Sequence, residues 1–384
     1  MLIRFVAPLA ASIAVIGANA FALSPMAGAV AGSFSGVEPA DVARVAAVYG
    51  LATAISALAL APLSDRFGHR RVLAAALIGL AAGLALGAAA PTFAWLCVGQ
   101  AAAGLAAGSA LPAIYALAAR GAEPGRERET LGLVLTGWTV SLVVGVSLSA
   151  TMAQYAHWRA VFAGLAVAGV TLAVCLPRAS RPPLNRPFED ASVLQALRVG
   201  GVGPALFTAS AYMAAFYGFY AFLGVHLTQV LGQSTAMAGL APAAYGVGFG
   251  LAAAADRRLD RIGPQAAAPL TFAALVLAYI LLAAAAAHGW LLILACLGLG
   301  LANHVGLNLI IVRLTALDPA RRGAIMGLYS AATYLAGSAA ALAYQPLFEH
   351  FGLMACAIVS ALCILPVLAV SLAPALPGAT LQPD

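Results

Sequence analysis

Apolar residues run along this 384-residue chain in long stretches, each ended by a short cluster of polar or charged positions. Roughly 20 apolar residues, coiled as a helix, cross a bilayer. Twelve such stretches fit the chain. In the first half they run Phe5 to Ala31, Val42 to Ala61, Val72 to Ala90, Phe93 to Ala118, Thr130 to Ala153 and Arg159 to Leu176. In the second they run Gly203 to Gln229, Ala236 to Ala255, Ala266 to Ala287, Trp290 to Leu314, Gly323 to Tyr344 and Leu353 to Ala373. Strands of a membrane barrel would alternate apolar and polar residues, and these runs do not.

The polar clusters repeat. Asp65-Arg66-Phe67-Gly68 returns 195 residues later as Asp260-Arg261-Ile262-Gly263. At the same offset Glu123-Pro124, with Arg126 and Gly132, returns as Asp318-Pro319, with Arg321 and Gly327. Two islands keeping one offset, with no gap accumulated, point to a duplicated half, a design found in many secondary transporters. The expected organisation is an N-terminal six-helix bundle over 1–177, a cytoplasmic connector over 178–200, and a C-terminal six-helix bundle over 201–384 with a short cytoplasmic tail. The connector is rich in proline and charge: Arg178, Arg181, Pro182, Pro183, Arg186, Pro187, Glu189 and Asp190. Small residues recur at every fourth position as Gly79, Gly83 and Gly87 in span three and as Gly137, Ser141, Gly145 and Ser149 in span five. Ala332, Ala336 and Ala340 are the repeat equivalents in span eleven. Such ridges let helices approach closely in lipid.

Composition fits this reading: 63% of residues are hydrophobic, 8% are charged and the mean hydropathy is +0.97. A soluble domain carries about 25% charged residues. The net charge of +6 does not imply nucleic acid, because the arginines gather at the amino terminus and in the even-numbered connections. The odd-numbered connections hold only Arg44 and Arg159. That asymmetry places the even loops and both termini in the cytoplasm, in a bacterial inner (plasma) membrane, with anionic lipid headgroups as partners of the basic rim. Ala18-Asn19-Ala20 mimics a signal cleavage site, but the apolar run continues past it and cleavage would leave an odd number of spans. All nineteen basic residues are arginine. Without lysine there is no Walker-type P-loop and no Schiff base, and no His-Glu-x-x-His or nucleophile-elbow pattern occurs. An enzyme, a cofactor and a metal are therefore not expected. The five cysteines, Cys97, Cys175, Cys296, Cys356 and Cys363, fall inside predicted spans without ligand or disulfide spacing, and packing is their default role.

Ala61-Pro62-Leu63-Ser64-Asp65-Arg66-Phe67-Gly68-His69-Arg70-Arg71 resembles the loop signature of the major facilitator superfamily, with Ala61 in place of a glycine and His69 in place of a basic residue. Val144-Gly145-Val146-Ser147-Leu148, followed by Trp158-Arg159, is similar to the region of spans five and six in the arabinose-efflux-type and drug:proton antiporter branch. There Ser147 stands for a proline and His157 for a glycine, and Gln100 takes the place of an arginine common in proton-coupled relatives. The resemblance implies an all-α integral membrane fold of twelve transmembrane helices in two pseudo-symmetric six-helix bundles. It also implies a cytoplasmic gate. Asp65 would face a helix N-terminus and pair with Arg126, Arg128 or Arg322, while Arg66, Gly68, Arg70 and Arg71 shape the loop. Asp260, Arg261 and Gly263, with Asp256, form the second-half version. Fixing topology is the plainer role for these charges.

By the same resemblance, spans one, four, seven and ten line a central cavity. The candidate substrate residues are Asn19, Gln100, Tyr212, Phe216, Tyr220, Asn303, His304 and Asn308. A polar group inside the membrane is costly unless it finds a partner or water. Interhelical hydrogen bonding competes with ligand contact for Asn303 and His304, and core packing competes with substrate stacking for the aromatic stripe. No Asp or Glu sits at the centre of a predicted span. Proton coupling then falls to His304, since histidine ordinarily titrates near neutrality, with Asp41 as a second candidate whose simpler role is helix capping. The expected function is proton-coupled efflux of a small neutral or amphipathic organic molecule by a monomer working through alternating access. An uptake symporter or facilitator of a small polar solute is the alternative, and a non-transporting membrane receptor or scaffold the remote one.

Overall fold

The computed structural model describes residues 2–60, 67–123, 126–176, 193–253, 262, 264–318 and 321–372. Among them, eleven helical stretches are long and apolar enough to cross a membrane. The last, Arg322–Leu372, has 51 residues, about twice a bilayer crossing, and is broken at Gly352, where φ is 73°. The break yields twelve crossings. The first six are α1 (Leu2–Ala31), α2 (Val42–Ala59), α3 (His69–Ala88), α4 (Phe93–Gly121), α5 (127–155) and α6 (Trp158–Cys175). The second six are α7 (202–230), α8 (Leu240–Ala252, after a short turn Thr235–Ala238), α9 (Pro264–Ala285), α10 (Gly289–Leu317), α11 (322–351) and α12 (353–372). Most of the expected connector lies outside the described residues, apart from a short helix Val193–Leu197.

The duplication extends to the helix boundaries. The starts of α3, α5 and α6, at His69, Glu127 and Trp158, correspond at the 195-residue offset to Pro264, Arg322 and Leu353. The salt bridge Arg126–Glu123 (3.2 Å) has its counterpart in Arg321–Asp318 (2.7 Å). In each, the arginine N–H also donates to the carbonyl of its acidic partner, closing the same turn. One position shows two solutions to one problem. His157 precedes α6 with extended backbone and accepts the Arg159 N–H on its ring nitrogen. Its counterpart Gly352 instead adopts a positive φ that a side chain would disfavour.

Small residues set the helix spacing. A Cβ on Gly83 would lie 2.6 Å from the Ala103 nitrogen, and one on Gly99 would lie 2.8 Å from the Gly83 carbonyl, so α3 and α4 touch backbone to backbone. Gly137 meets the Ala10 carbonyl of α1 in the same way, and Gly145 packs against the Ala18 side chain. Close van der Waals contact takes the place of a hydrophobic driving force that lipid cannot supply. Two π-type stretches interrupt the regular coil: Ser141–Val146 within α5, overlapping the motif that resembles efflux relatives, and His226–Val230 at the end of α7.

Candidate transport pathway between the two halves

The two six-helix groups meet where α1 packs on α7, α2 on α11 and α5 on α8. The inter-half hydrogen bonds between described residues lie toward one end of the bundle, the end carrying the odd-numbered connections. The α1–α7 contact follows from a proline. Pro25 has no N–H, so the carbonyl of Phe21, four residues earlier, loses its helical donor. The Tyr220 hydroxyl donates to it at 2.9 Å from the other half. Ser24 reaches the opposite way. Its hydroxyl donates to the Tyr220 carbonyl (2.7 Å) and accepts the Gly224 N–H (3.1 Å), inserting into the ladder of α7. Gly224 lies against the Ser24 carbonyl, so only a glycine admits this approach. The π-type turns of α7 begin two residues further on.

Beside this contact lies a cavity of about 40 Å³, bounded by Tyr49, Tyr217, Tyr220 and Tyr334 with Ser24 and Ser338. At roughly 10–15 Å³ per water it has room for about three. Among the described residues, no charged side chain lines it. An aromatic assembly continues from this cavity. Phe21 of α1 meets Tyr220 (5.3 Å between centroids), Tyr217 (5.8 Å), Phe216 (6.0 Å) and Trp138 (6.4 Å). Phe216 contacts Tyr245 (5.1 Å), which leads through Phe249 to the ring of His304. Aromatic surface from both halves therefore forms one connected body.

The residues expected to line the pathway are distributed unevenly. Tyr220 borders the cavity, and Phe216 stacks on it. Asn19 and Gln100 are turned toward each other and exchange two amide hydrogen bonds of 3.0 Å, joining α1 to α4. Tyr212 donates to the Asn303 carbonyl (2.7 Å), and the Asn303 amide donates to the Tyr245 hydroxyl (3.1 Å). His304 and Asn308 pair at 3.0 Å, one turn apart on α10. His226, by contrast, is bound through Nε2 to the Ala286 carbonyl at 2.7 Å.

At the odd-loop end a polar cluster bridges α2 and α11. Gln345 donates from one nitrogen to Asp41 (2.9 Å) and to Glu349 (2.8 Å), and its carbonyl oxygen accepts from Arg44 (3.3 Å). Asp41 also pairs with Arg44 at 2.8 Å and accepts the Glu38 N–H at 2.9 Å. Asp41 thus closes the turn ahead of α2, without capping the helix itself, and reaches the other half as well. Gln345 and Glu349 escaped the sequence reading because α11 was expected to end at Tyr344, whereas the helix continues past both. Nearby, Ser147 donates to the Gly239 carbonyl (3.1 Å), and Gln154 accepts the Ala236 N–H (2.7 Å), joining α5 to the region before α8.

At the even-loop end, Asp65, Arg66, Asp260, Arg261 and Gly263 lie outside the described residues, as does Asp256. Gly68 has φ of 86° and starts α3. Arg70 donates to the Leu176 carbonyl at 3.4 Å, and Arg71 is exposed. Arg126 pairs with Glu123, and Arg322 donates to the Thr315 carbonyl at 3.2 Å. One arginine falls outside the pattern of termini and loops: Arg313 sits inside α10, whose helix runs on to Leu317.

Comparison with known proteins agrees with this architecture. Residues 9–341 match the family model of the Major Facilitator Superfamily. An uncharacterized MFS-type transporter of Bacillus subtilis, YwfA, is 26% identical over 353 residues, covering 90% of this chain and 85% of the relative. A probable sugar efflux transporter of Pasteurella multocida is 25% identical over 243 residues, covering 62% of this chain and 59% of that protein. In three dimensions the chain resembles the D-xylose-proton symporter (TM-score 0.73, 15% identity, covering 94% of this chain and 96% of that one). It also resembles the human organic anion transporter MFSD10 (TM-score 0.70, 19% identity, covering 96% and 99%). With matching helices, a matching family model and relatives along most of its length, the chain belongs to the Major Facilitator Superfamily and is an integral membrane transporter.

Proposed function

We propose that this transporter exports a small neutral or amphipathic organic molecule from the cytoplasm by proton-coupled alternating access. The observation that carries the reading is the aromatic surface shared by the two halves, beside a small tyrosine-bounded cavity whose described lining carries no charge. Rings and phenolic hydroxyls suit a solute that offers apolar faces and a few hydrogen-bonding groups. A strongly charged solute would lack a counter-charge there. The similarity to a probable sugar efflux transporter supports the same polarity and direction.

Arginine placement assigns the even-loop end to the cytoplasm. On that assignment the inter-half hydrogen bonds between described residues lie at the outer end. The gate at Asp65 and Asp260, with Arg66, Gly68, Arg70, Arg71, Arg126, Arg261, Gly263 and Arg322, would close the cytoplasmic side in the outward-open state. His304 is the proposed coupling group. It is buried on α10 against Phe249 and pairs with Asn308. Asp41 is the second candidate, at the outer mouth.

The test is solute flux in proteoliposomes under an imposed pH gradient, with a panel of neutral sugars and amphipathic aromatic compounds. Export is expected to speed when protons can run inward and to lose its pH dependence in His304→Ala. Flux in the direction of the proton gradient would instead establish a symporter. Flux indifferent to the gradient would establish a facilitator, and an unchanged pH profile in His304→Ala would remove that residue from the mechanism.

A further inference from the structure

The two copies differ sharply at one helix pair. In the first, Gly83 and Gly99 let α3 and α4 meet backbone to backbone. At the equivalent positions the second copy carries Ala278 and Leu294, and Leu282 replaces Gly87. The leucine at 294 points outward, 64% exposed, and α9 and α10 leave a groove of about 780 Å³ between them. Its walls include Leu277, Leu281 and Leu301, and Gly298 and Ala302 are among the small residues lining it. Among the described residues its one polar side chain is Thr271, whose hydroxyl is already donated to the Ala267 carbonyl at 2.9 Å. Nothing in the groove could orient a polar solute. It runs from Leu270 to Ala285 along α9, roughly 22 Å at 1.5 Å per residue, a long apolar slot that an acyl chain can follow.

The second difference is one of charge. Arg313 lies three turns beyond Ala302 on the same face of α10 and is exposed. Its counterpart in the first copy is the buried Ala118. In the second half the groove and an arginine inside α10 occur together; in the first, α3 and α4 close on each other at Gly83 and Gly99, and the arginine of α4, Arg120, stands two residues further along at the helix end. We propose that the α9–α10 cleft binds an anionic phospholipid, with an acyl chain in the groove and the phosphate at Arg313. The site lies on the back of the helix that carries Asn303 and His304, so an occupied groove would hold α10 in place. The proposal depends only on membrane insertion and is independent of which solute is carried.

The experiment uses the full chain in vesicles of phosphatidylethanolamine and phosphatidylglycerol containing a phosphatidylglycerol probe with a diazirine on its acyl chain. After illumination, adducts are mapped by peptide mass spectrometry. Adducts should concentrate on the α9–α10 walls over the corresponding α3–α4 surface, and competition by unlabelled phosphatidylglycerol should exceed that by phosphatidylethanolamine. Arg313→Gln should cut that preference roughly fivefold, the weight of one basic residue near an anionic surface. Gly298→Phe should remove the adducts by filling the groove, since a Cβ there meets nothing within 4 Å. Equal labelling of both surfaces in the wild-type chain would overturn the proposal without any variant. Equal competition by the two lipids would overturn it too, as would cross-links to a second copy through this face.

Discussion

Asn19 and Gln100 are each 1% exposed and exchange both their amide hydrogen bonds with one another. A buried amide left without its partner costs about 1–3 kcal/mol, whereas removing both partners together approaches neutrality. Asn19→Leu and Gln100→Leu should therefore each lower the melting temperature in detergent, and the double variant should recover most of the loss. Additive losses would mean that the two amides have other business, such as contact with solute. This pair shows what a sequence offers at the scale of a residue. Two polar positions inside apolar spans declared that they needed partners, and nothing in their spacing said that they were each other's. The Tyr220 hydroxyl is a similar case. Its acceptor exists because Pro25 removes a donor from α1, and the two residues lie in different halves of the chain.

At the scale of elements, that one bond ties α1 to α7. Tyr220→Phe leaves the Phe21 carbonyl unsatisfied within the protein, at a cost of about 1–3 kcal/mol to the state in which the two helices touch. The population closed at the odd-loop end should fall roughly tenfold relative to its competitor. Distances between spin labels at the outer ends of α1 and α7 would report it, and an unchanged distribution would count against this contact as a determinant of closure. The Ser24 hydroxyl works on the same helix pair by a different route, through insertion into the ladder of α7. The glycine ridge in α3 was readable beforehand as a surface for close packing, because small residues at every fourth position share a face. Its partner was not readable: α4 offers Gly99, and only the fold brings the two together.

For the whole molecule, the Asp41–Arg44–Gln345–Glu349 cluster spans the halves at the end that must open during a transport cycle. Arg44 is more than half exposed, so solvent screening limits its contribution. Gln345→Leu removes hydrogen bonds to three charged neighbours and should shift the equilibrium toward the state open at that end by about 1 kcal/mol, roughly fivefold. Cysteine accessibility at the α1–α2 loop would measure the shift. Protection equal to the wild type would show that the cluster follows closure and does not favour it.

The sequence by itself determined the solvent, the number of crossings, their duplication and the superfamily. All of these are written in hydropathy and in the 195-residue offset, which survives down to two equivalent Arg–acid turns. Tertiary structure alone decided which polar groups found one another, which end carries the inter-half hydrogen bonds between described residues, and where the copies diverge. Hydrophobic periodicity is a one-dimensional signal that tells a helix to enter the membrane. Partner choice depends on which faces meet after two bundles have packed, and lipid, being as apolar as the side chains it touches, gives no local clue to that outcome.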